Sequence, residues 1–223
     1  GMGFGFWYQH GGWDFYSAGP YVVTQPTYIF GAEQVSGGAS WYAAEDTVLN
    51  GLPTGQNARI RFSVQNSGSP LVGEQFRLQY AAKGAALNCE SVAFNTYTDV
   101  PASGSCGSSP ACMAASSQFT DQTAISDLLS YPASMNFTQG KIMEDTSNLT
   151  NAMTVPTNNA TEVEYNFRLT TNAVANSYCF RTSRASLATP GSLDNYDHVA
   201  DVVVAHPPTI SNFNWPFDSF SIF

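Results

Sequence analysis

The sequence predicts an all-β fold: an antiparallel two-sheet β-sandwich, Ig-like or jelly-roll-like, with extended apolar tails at both ends. Three observations predict it. Period-two alternation of apolar and polar residues recurs through the middle of the chain. Helical periodicity is scarce. The first thirty and last fifteen residues are crowded with aromatics and nearly free of charge.

The strands come first. In ARIRFSVQ, Ala58, Ile60, Phe62 and Val64 point one way, and Arg59, Arg61 and Ser63 the other. In EQFRLQYA, Phe76, Leu78 and Tyr80 alternate with Gln75, Arg77 and Gln79. In EVEYNFRL, Val163, Tyr165, Phe167 and Leu169 alternate with Glu162, Glu164, Asn166 and Arg168. This pattern marks strands with one buried and one wet face, so Glu162 and Glu164 are expected on a solvated surface. Asn66-Ser67-Gly68-Ser69-Pro70 supplies a turn that predicts a hairpin between the first two strands. SYCFR (177–181) and VADVVVA (199–205) read as further strands.

DQTAISDLLSY (121–131) spaces Ile125, Leu128 and Leu129 for a helix of at most about three turns, with Asp121 as its cap. Residues 101–118 read as a loop held by a disulfide. No long helix is available to cross between parallel strands, so the strands are expected to be mostly antiparallel and packed as two sheets.

The chain has 223 residues, 43% of them apolar, which suffices for a full core. Only 11% are charged, less than half of the usual share of about 25%. The wet surface must therefore be built mostly from uncharged polar residues. A net charge of −9 argues against nucleic acid as a partner and against docking on anionic lipid. No run of about twenty apolar residues is present to span a membrane. The chain opens without a basic leader, so a secreted protein is expected here in mature form, its leader removed before Gly1.

Cys89, Cys106, Cys112 and Cys179 suit an oxidising compartment, which predicts an extracellular or cell-surface location. Four cysteines allow three pairings. Cys106 and Cys112 flank a short flexible loop, GSSPA, which could close on itself. Cys89 and Cys179 would then form a longer staple. Zinc spacing is absent. His198 and His206 lie near Asp194, Asp197 and Asp201, but strand spacing puts them on mixed faces. Asp194-Asn195-Tyr196-Asp197 lacks the glycine and terminal glutamate of an EF-hand loop. No metal and no cofactor are expected. Asn136, Asn148 and Asn159 each open an Asn-x-Thr triplet and are candidate glycan acceptors. No nucleophile elbow, dinucleotide fingerprint or phosphate loop is found, so the chain is not expected to be an enzyme.

Several segments together resemble a known family. Trp41, Ala43, Ala44, Glu45, Asp46 and Thr47 match a W-x-A-A-E-D-T opening. Arg59, Arg61 and Val64 match an R-x-R-x-x-V strand. Phe76, Leu78, Tyr80 and Cys89 match an F-x-L-x-Y segment leading to a cysteine, and Tyr178, Cys179, Phe180 and Arg181 a closing Y-C-F-R strand. Residues 30–205 thus resemble a β-rich repeat domain of predicted secreted and surface proteins in candidate phyla radiation bacteria. The resemblance implies an extracellular β-sandwich and a Cys89–Cys179 bridge, and carries no catalytic residues. The Trp usual soon after the first cysteine is missing, with Phe94 the nearest aromatic.

The ends decide the functional expectation. Residues 1–30 read as an N-terminal extension and candidate donor strand, 31–206 as the sandwich and 207–223 as an aromatic tail. Met2, Phe4, Phe6 and Tyr8 alternate with Gly3 and Gly5 at their start. Trp13, Val22, Val23, Tyr28 and Ile29 continue the apolar series, and Phe213, Trp215, Phe217 and Phe220 crowd the other end. Ends this apolar need cover, and another copy of the chain is the simplest cover. The expectation is a structural subunit of an extracellular filament or pilus, polymerising by strand donation into its neighbour. The alternative is a surface adhesin or carbohydrate-binding module.

Overall fold

The structure is a computed structural model and describes residues 22–33, 40–186 and 191–205. Of the residues expected to assemble copies, Met2, Phe4, Phe6, Tyr8, Trp13, Phe213, Trp215, Phe217 and Phe220 lie outside the described residues, as do His10 and His206.

The described chain is all-β. In order, its strands are β1 (Val23–Gln25), β2 (Tyr28–Ala32), β3 (Ser40–Trp41), β4 (Leu49–Leu52), β5 (Asn57–Asn66), β6 (Leu71–Glu74), β7 (Phe76–Ala82) and β8 (Thr98–Asp99). They continue with β9 (Ala111–Met113), β10 (Ala124–Ile125), β11 (Asn136–Met143), β12 (Met153–Val155), β13 (Asn159–Leu169), β14 (Ser177–Arg184), β15 (Asn195–Tyr196) and β16 (Ala200–Val204).

Nine strands form one sheet around the long antiparallel pair β5–β13. β1 and β2 lie in succession along the far side of β5, while β11 and β9 share the far side of β13. A second sheet has the order β4-β16-β14-β7-β8, and β6 pairs with β12 in a two-stranded ribbon.

The alternation read from the sequence places the core. Ile60, Phe62 and Val64 on β5, with Val163, Tyr165 and Phe167 on β13, enter one apolar cluster with Phe76, Leu78, Tyr178 and Phe180 of the second sheet. Phe167 and Phe180 meet with ring centroids 4.8 Å apart, and Tyr165 Oη lies 3.0 Å from Thr182 Oγ1. Most strand pairs are antiparallel, but β1–β15, β11–β13 and β4–β16 are parallel. The β11–β13 register shifts between Thr138 and Lys141, which brings Gly140 against the Glu162 backbone. A Cβ there would sit 1.8 Å from the Glu162 carbonyl oxygen, so only glycine fits.

Three expectations are corrected. The predicted hairpin does not form. After residues 67–70 the chain enters β6 and then the second sheet, because both edges of β5 are already taken by β13 and by β1 with β2. Residues 121–131 form no helix. Ala124–Ile125 pairs with β11 as β10, and the N–H groups of Leu128 and Leu129 donate to the Glu162 carboxylate. Asp121 accepts from the Glu144 N–H instead of capping a helix. The boundary at residue 31 also fails, since β2 runs across it.

Candidate functional site

Val23, Tyr28 and Ile29 are not on a free arm. They are buried in the chain's own sheet, β1 and β2 filling the strand position beside β5. The Tyr28 N–H donates to Asp46 Oδ1 and Thr27 Oγ1 donates to the same carboxylate. A neighbour's strand has no vacancy there. Val22 is exposed, and its carbonyl accepts from the Ser67 N–H. Any strand that the N-terminal segment gives to another copy must therefore come from residues before Val22.

The strand ends define two poles. At one, Asn66 pairs with both Val23 and Asn159, and Asn136 pairs with Asn159. At the other, the Gly55 N–H donates to the Leu169 carbonyl, Thr170 to Pro110, Val204 to Asn176 and Ala205 to Leu52. β13 joins the poles with eleven residues, roughly 35 Å of extended chain. The aromatic segment 1–21 is thus attached at the Asn66 pole, and 206–223 at the Leu169 pole.

β4 ends at the Leu169 pole. It is the last strand of its sheet, and among the described residues nothing bonds the backbone of its outer edge. Residues 47–56 carry no charge. Natural edge strands are usually blunted by charge, proline or brevity; β4 has brevity and the proline just after it.

The outer faces of both sheets are covered, and this corrects the expected wet face. Glu162 and Glu164 are 1% and 0% exposed. Glu164 accepts from Arg59 and, at 2.6 Å, from Arg61 Nε. Glu162 Oε2 accepts from Arg61 Nη1 at 2.8 Å, and its Oε1 accepts the N–H groups of Leu128 and Leu129, both at 2.7 Å. These bonds lay the 116–130 segment over β5 and β13. Trp41 covers the Arg61 guanidinium at 5.2 Å and Phe119 covers that of Arg59 at 5.1 Å. Burial raises the Glu162 carboxyl pKa above the usual range, while its two N–H donors and Arg61 pull the other way. Every carboxylate oxygen of the pair is engaged, so neither faces a substrate as a glycosidase acid would. A cavity of about 270 Å³ beside them is lined by both arginines, Phe119 and Ile142.

On the second sheet, Arg181 projects outward from β14 and is enclosed by aromatics. Its guanidinium lies 3.8 Å from the Tyr97 ring centre, 4.8 Å from Phe94 and 5.0 Å from Tyr196. Gln79 Oε1 accepts from its Nε and Nη2. Burial lowers its pKa. Phe94, the aromatic standing nearest after Cys89, thus helps close this cage. The Cys89–Cys179 disulfide pins the covering loop beside it, and Cys106–Cys112 closes the short loop at the Leu169 pole. Sequence spacing alone gave no sign that an arginine fills the space over this face.

Two of the three glycan acceptors are built into the fold. Asn148 Nδ2 donates to the carbonyls of Leu78 and Val100, and its Oδ1 accepts from the Leu78 N–H, so the side chain extends the β7 ladder. Asn159 opens β13, 2.7 Å from Thr138 Oγ1, and Thr161 is fully buried. Asn136 is exposed. In a glycosylating host, sugar is expected on Asn136 alone, read by peptide mass after enzymatic deglycosylation. Sugar on Asn148 of the folded protein would contradict this.

Asp194 accepts from the Val23 N–H, and Asn195 Nδ2 donates to Asp197, so this acidic stretch ties down β1 and itself. Among the described residues no group of three metal-ligating side chains converges, and no helix is long and apolar enough to cross a membrane. Two disulfides fit an oxidising compartment. Comparison with protein-family models, curated proteins and solved structures found no match.

Proposed function

We propose that this chain is a two-sheet β-sandwich that serves as the structural subunit of an extracellular filament, its copies joined head to tail. The observation that carries this reading is that Val22 and Ala205, to which the aromatic segments are joined, lie at opposite poles. A contact between one pole and the opposite pole of the next copy is heterologous, and such contacts propagate as an open fibre unless the rotation closes. Residues 1–21 of one copy would add as a strand to the outer edge of β4 in the next. Val22 and the residues after it stay in their own sheet as the anchor. Burying four large aromatics would contribute on the order of 6 to 12 kcal/mol before ordering costs, enough to hold copies together without covalent links.

The test is negative-stain microscopy with sedimentation of the whole chain and of a chain that begins at Val22. The whole chain is expected to form fibres that survive reductant, because both disulfides lie within one copy. The shortened chain is expected to unfold cooperatively and sediment as one copy. Fibres from the shortened chain would remove the N-terminal segment from the reading. A whole chain that stays a lone particle at every concentration would end it, and glycan binding by that particle on an array would favour the adhesin.

A further inference from the structure

The three most exposed large apolar side chains among the described residues are Leu87 at 95%, Val174 at 82% and Val72 at 79%. Single exposed apolar residues are ordinary. Their placement is not. Leu87 stands in the 83–88 loop and Val174 in the 170–176 loop. Both loops belong to the Leu169 pole, because the Lys83 N–H donates to the Ser177 carbonyl and the Thr170–Asn176 loop joins β13 to β14. Val72 lies on β6, just past the 67–70 turn of the Asn66 pole, where Asn66 Nδ2 holds the carbonyls of Ser69 and Val155.

Charge is sparse at both poles. Residues 53–56, 84–88, 106–110 and 170–176 of the Leu169 pole contain no Asp, Glu, Lys or Arg, and Lys83, which opens its loop, is paired with Asp201 at 2.6 Å. The same is true of 66–70, 132–136 and 156–159 at the Asn66 pole, where Asp194 accepts from the Val23 N–H. For a chain of net charge −9, mutual repulsion opposes stacking, and it is weakest where charge is absent. Desolvating hydroxyl and amide side chains costs less than desolvating ions.

We infer that the Leu169 pole, through Leu87 and Val174, is the docking surface for the Asn66 pole of a second copy, with Val72 as the apolar partner. The inference rests on the head-to-tail reading above and adds the body-to-body contact that strand addition alone does not specify. Two opposite, charge-poor, apolar-tipped ends on one molecule match a second copy better than a charged partner. The contact also sets the neighbour's residue 22 beside the pole at which β4 ends.

The experiment uses the full chain with single substitutions at these exposed positions, where the native fold tolerates charge. Circular dichroism of Leu87→Glu, Val174→Glu and Val72→Lys is expected to match the parent. Each variant alone is expected to raise the critical concentration for assembly by about tenfold or more, since an unpaired charge is then buried at the contact. An equimolar mixture of Val174→Glu and Val72→Lys is expected to co-assemble better than either alone. If the parent chain assembles and Leu87→Glu and Val174→Glu assemble equally well, the docking surface is wrong while the filament reading stands. If Val174→Glu blocks assembly and Val72→Lys does not, the Asn66 pole is not the partner. If the parent chain never assembles, both readings fall.

Discussion

Replacing Glu164 with alanine is expected to cost about 3–5 kcal/mol of folding stability, the largest loss from any single polar substitution on this face. Glu164 is fully buried and accepts from both Arg59 and Arg61. Removing it leaves two buried guanidinium groups with one carboxylate, Glu162, which of the two arginines bonds Arg61 and not Arg59. Phe119 and Trp41 over the guanidinium faces do not replace an anion; a desolvated cation–π contact is worth about 2 kcal/mol, less than the loss of a buried ion-pair partner. Because Arg61 also donates to the Ser126 carbonyl and Glu162 holds Leu128 and Leu129, strain in the cluster should loosen the 116–130 segment first. Urea unfolding checks the magnitude, and hydrogen exchange at Leu128 and Leu129 checks the order. Replacing Arg59 and Glu164 together with apolar residues of similar volume should cost less than Glu164→Ala alone, since Arg61 stays paired with Glu162 and no charge is then stranded. A loss below about 1 kcal/mol for Glu164→Ala would mean that water reaches the cluster and the charges are not desolvated.

The second large effect is a contrast between the two disulfides. Cys89 and Cys179 are 90 residues apart, and Cys106 and Cys112 only 6. Loop-closure entropy then makes removal of the first worth about 4.6 kcal/mol and of the second about 2.2 kcal/mol. Packing widens the gap. Cys89 and Cys179 sit in a small cluster with Ala81, Tyr97 and Val199, and Tyr97 is the ring nearest Arg181. Cys89→Ala with Cys179→Ala should therefore also open the arginine cage, read as increased exchange and a changed tyrosine signal. The Cys106→Ala, Cys112→Ala chain should keep both. Equal losses from the two pairs, measured by denaturant unfolding, would contradict this ordering.

How much was legible in the sequence can be judged from particular residues. The alternation in 57–66 and 159–169 named the buried apolar set correctly, because side chains of a strand must point to opposite faces. The same alternation put Glu162 and Glu164 on one face and was right to do so. It could not say that the face is covered, because the cover comes from residues 116–130 and Trp41, which are remote from it in the chain. The apolar spacing of Ile125, Leu128 and Leu129 suggested a helix; a glutamate more than thirty residues away took two of its N–H groups instead. Val23, Tyr28 and Ile29 looked like a loose apolar arm and are a cis strand. Periodicity describes the faces of one element, and the choice of partner edge is a competition among all of them.

By itself, then, the chain's order of residues determined the all-β class, the inward set of each long strand, the compartment that suits its cysteines, and a polar, charge-poor surface. These follow from local stereochemistry and solvation, which each segment carries with it. Only the tertiary structure decided which strands pair, that Asn148 serves as a ladder partner for Leu78, that arginines are enclosed on both outer faces, and that the two aromatic segments attach at opposite poles. Those depend on distances between residues far apart in the chain, and such distances are set only when all the segments compete for the same core.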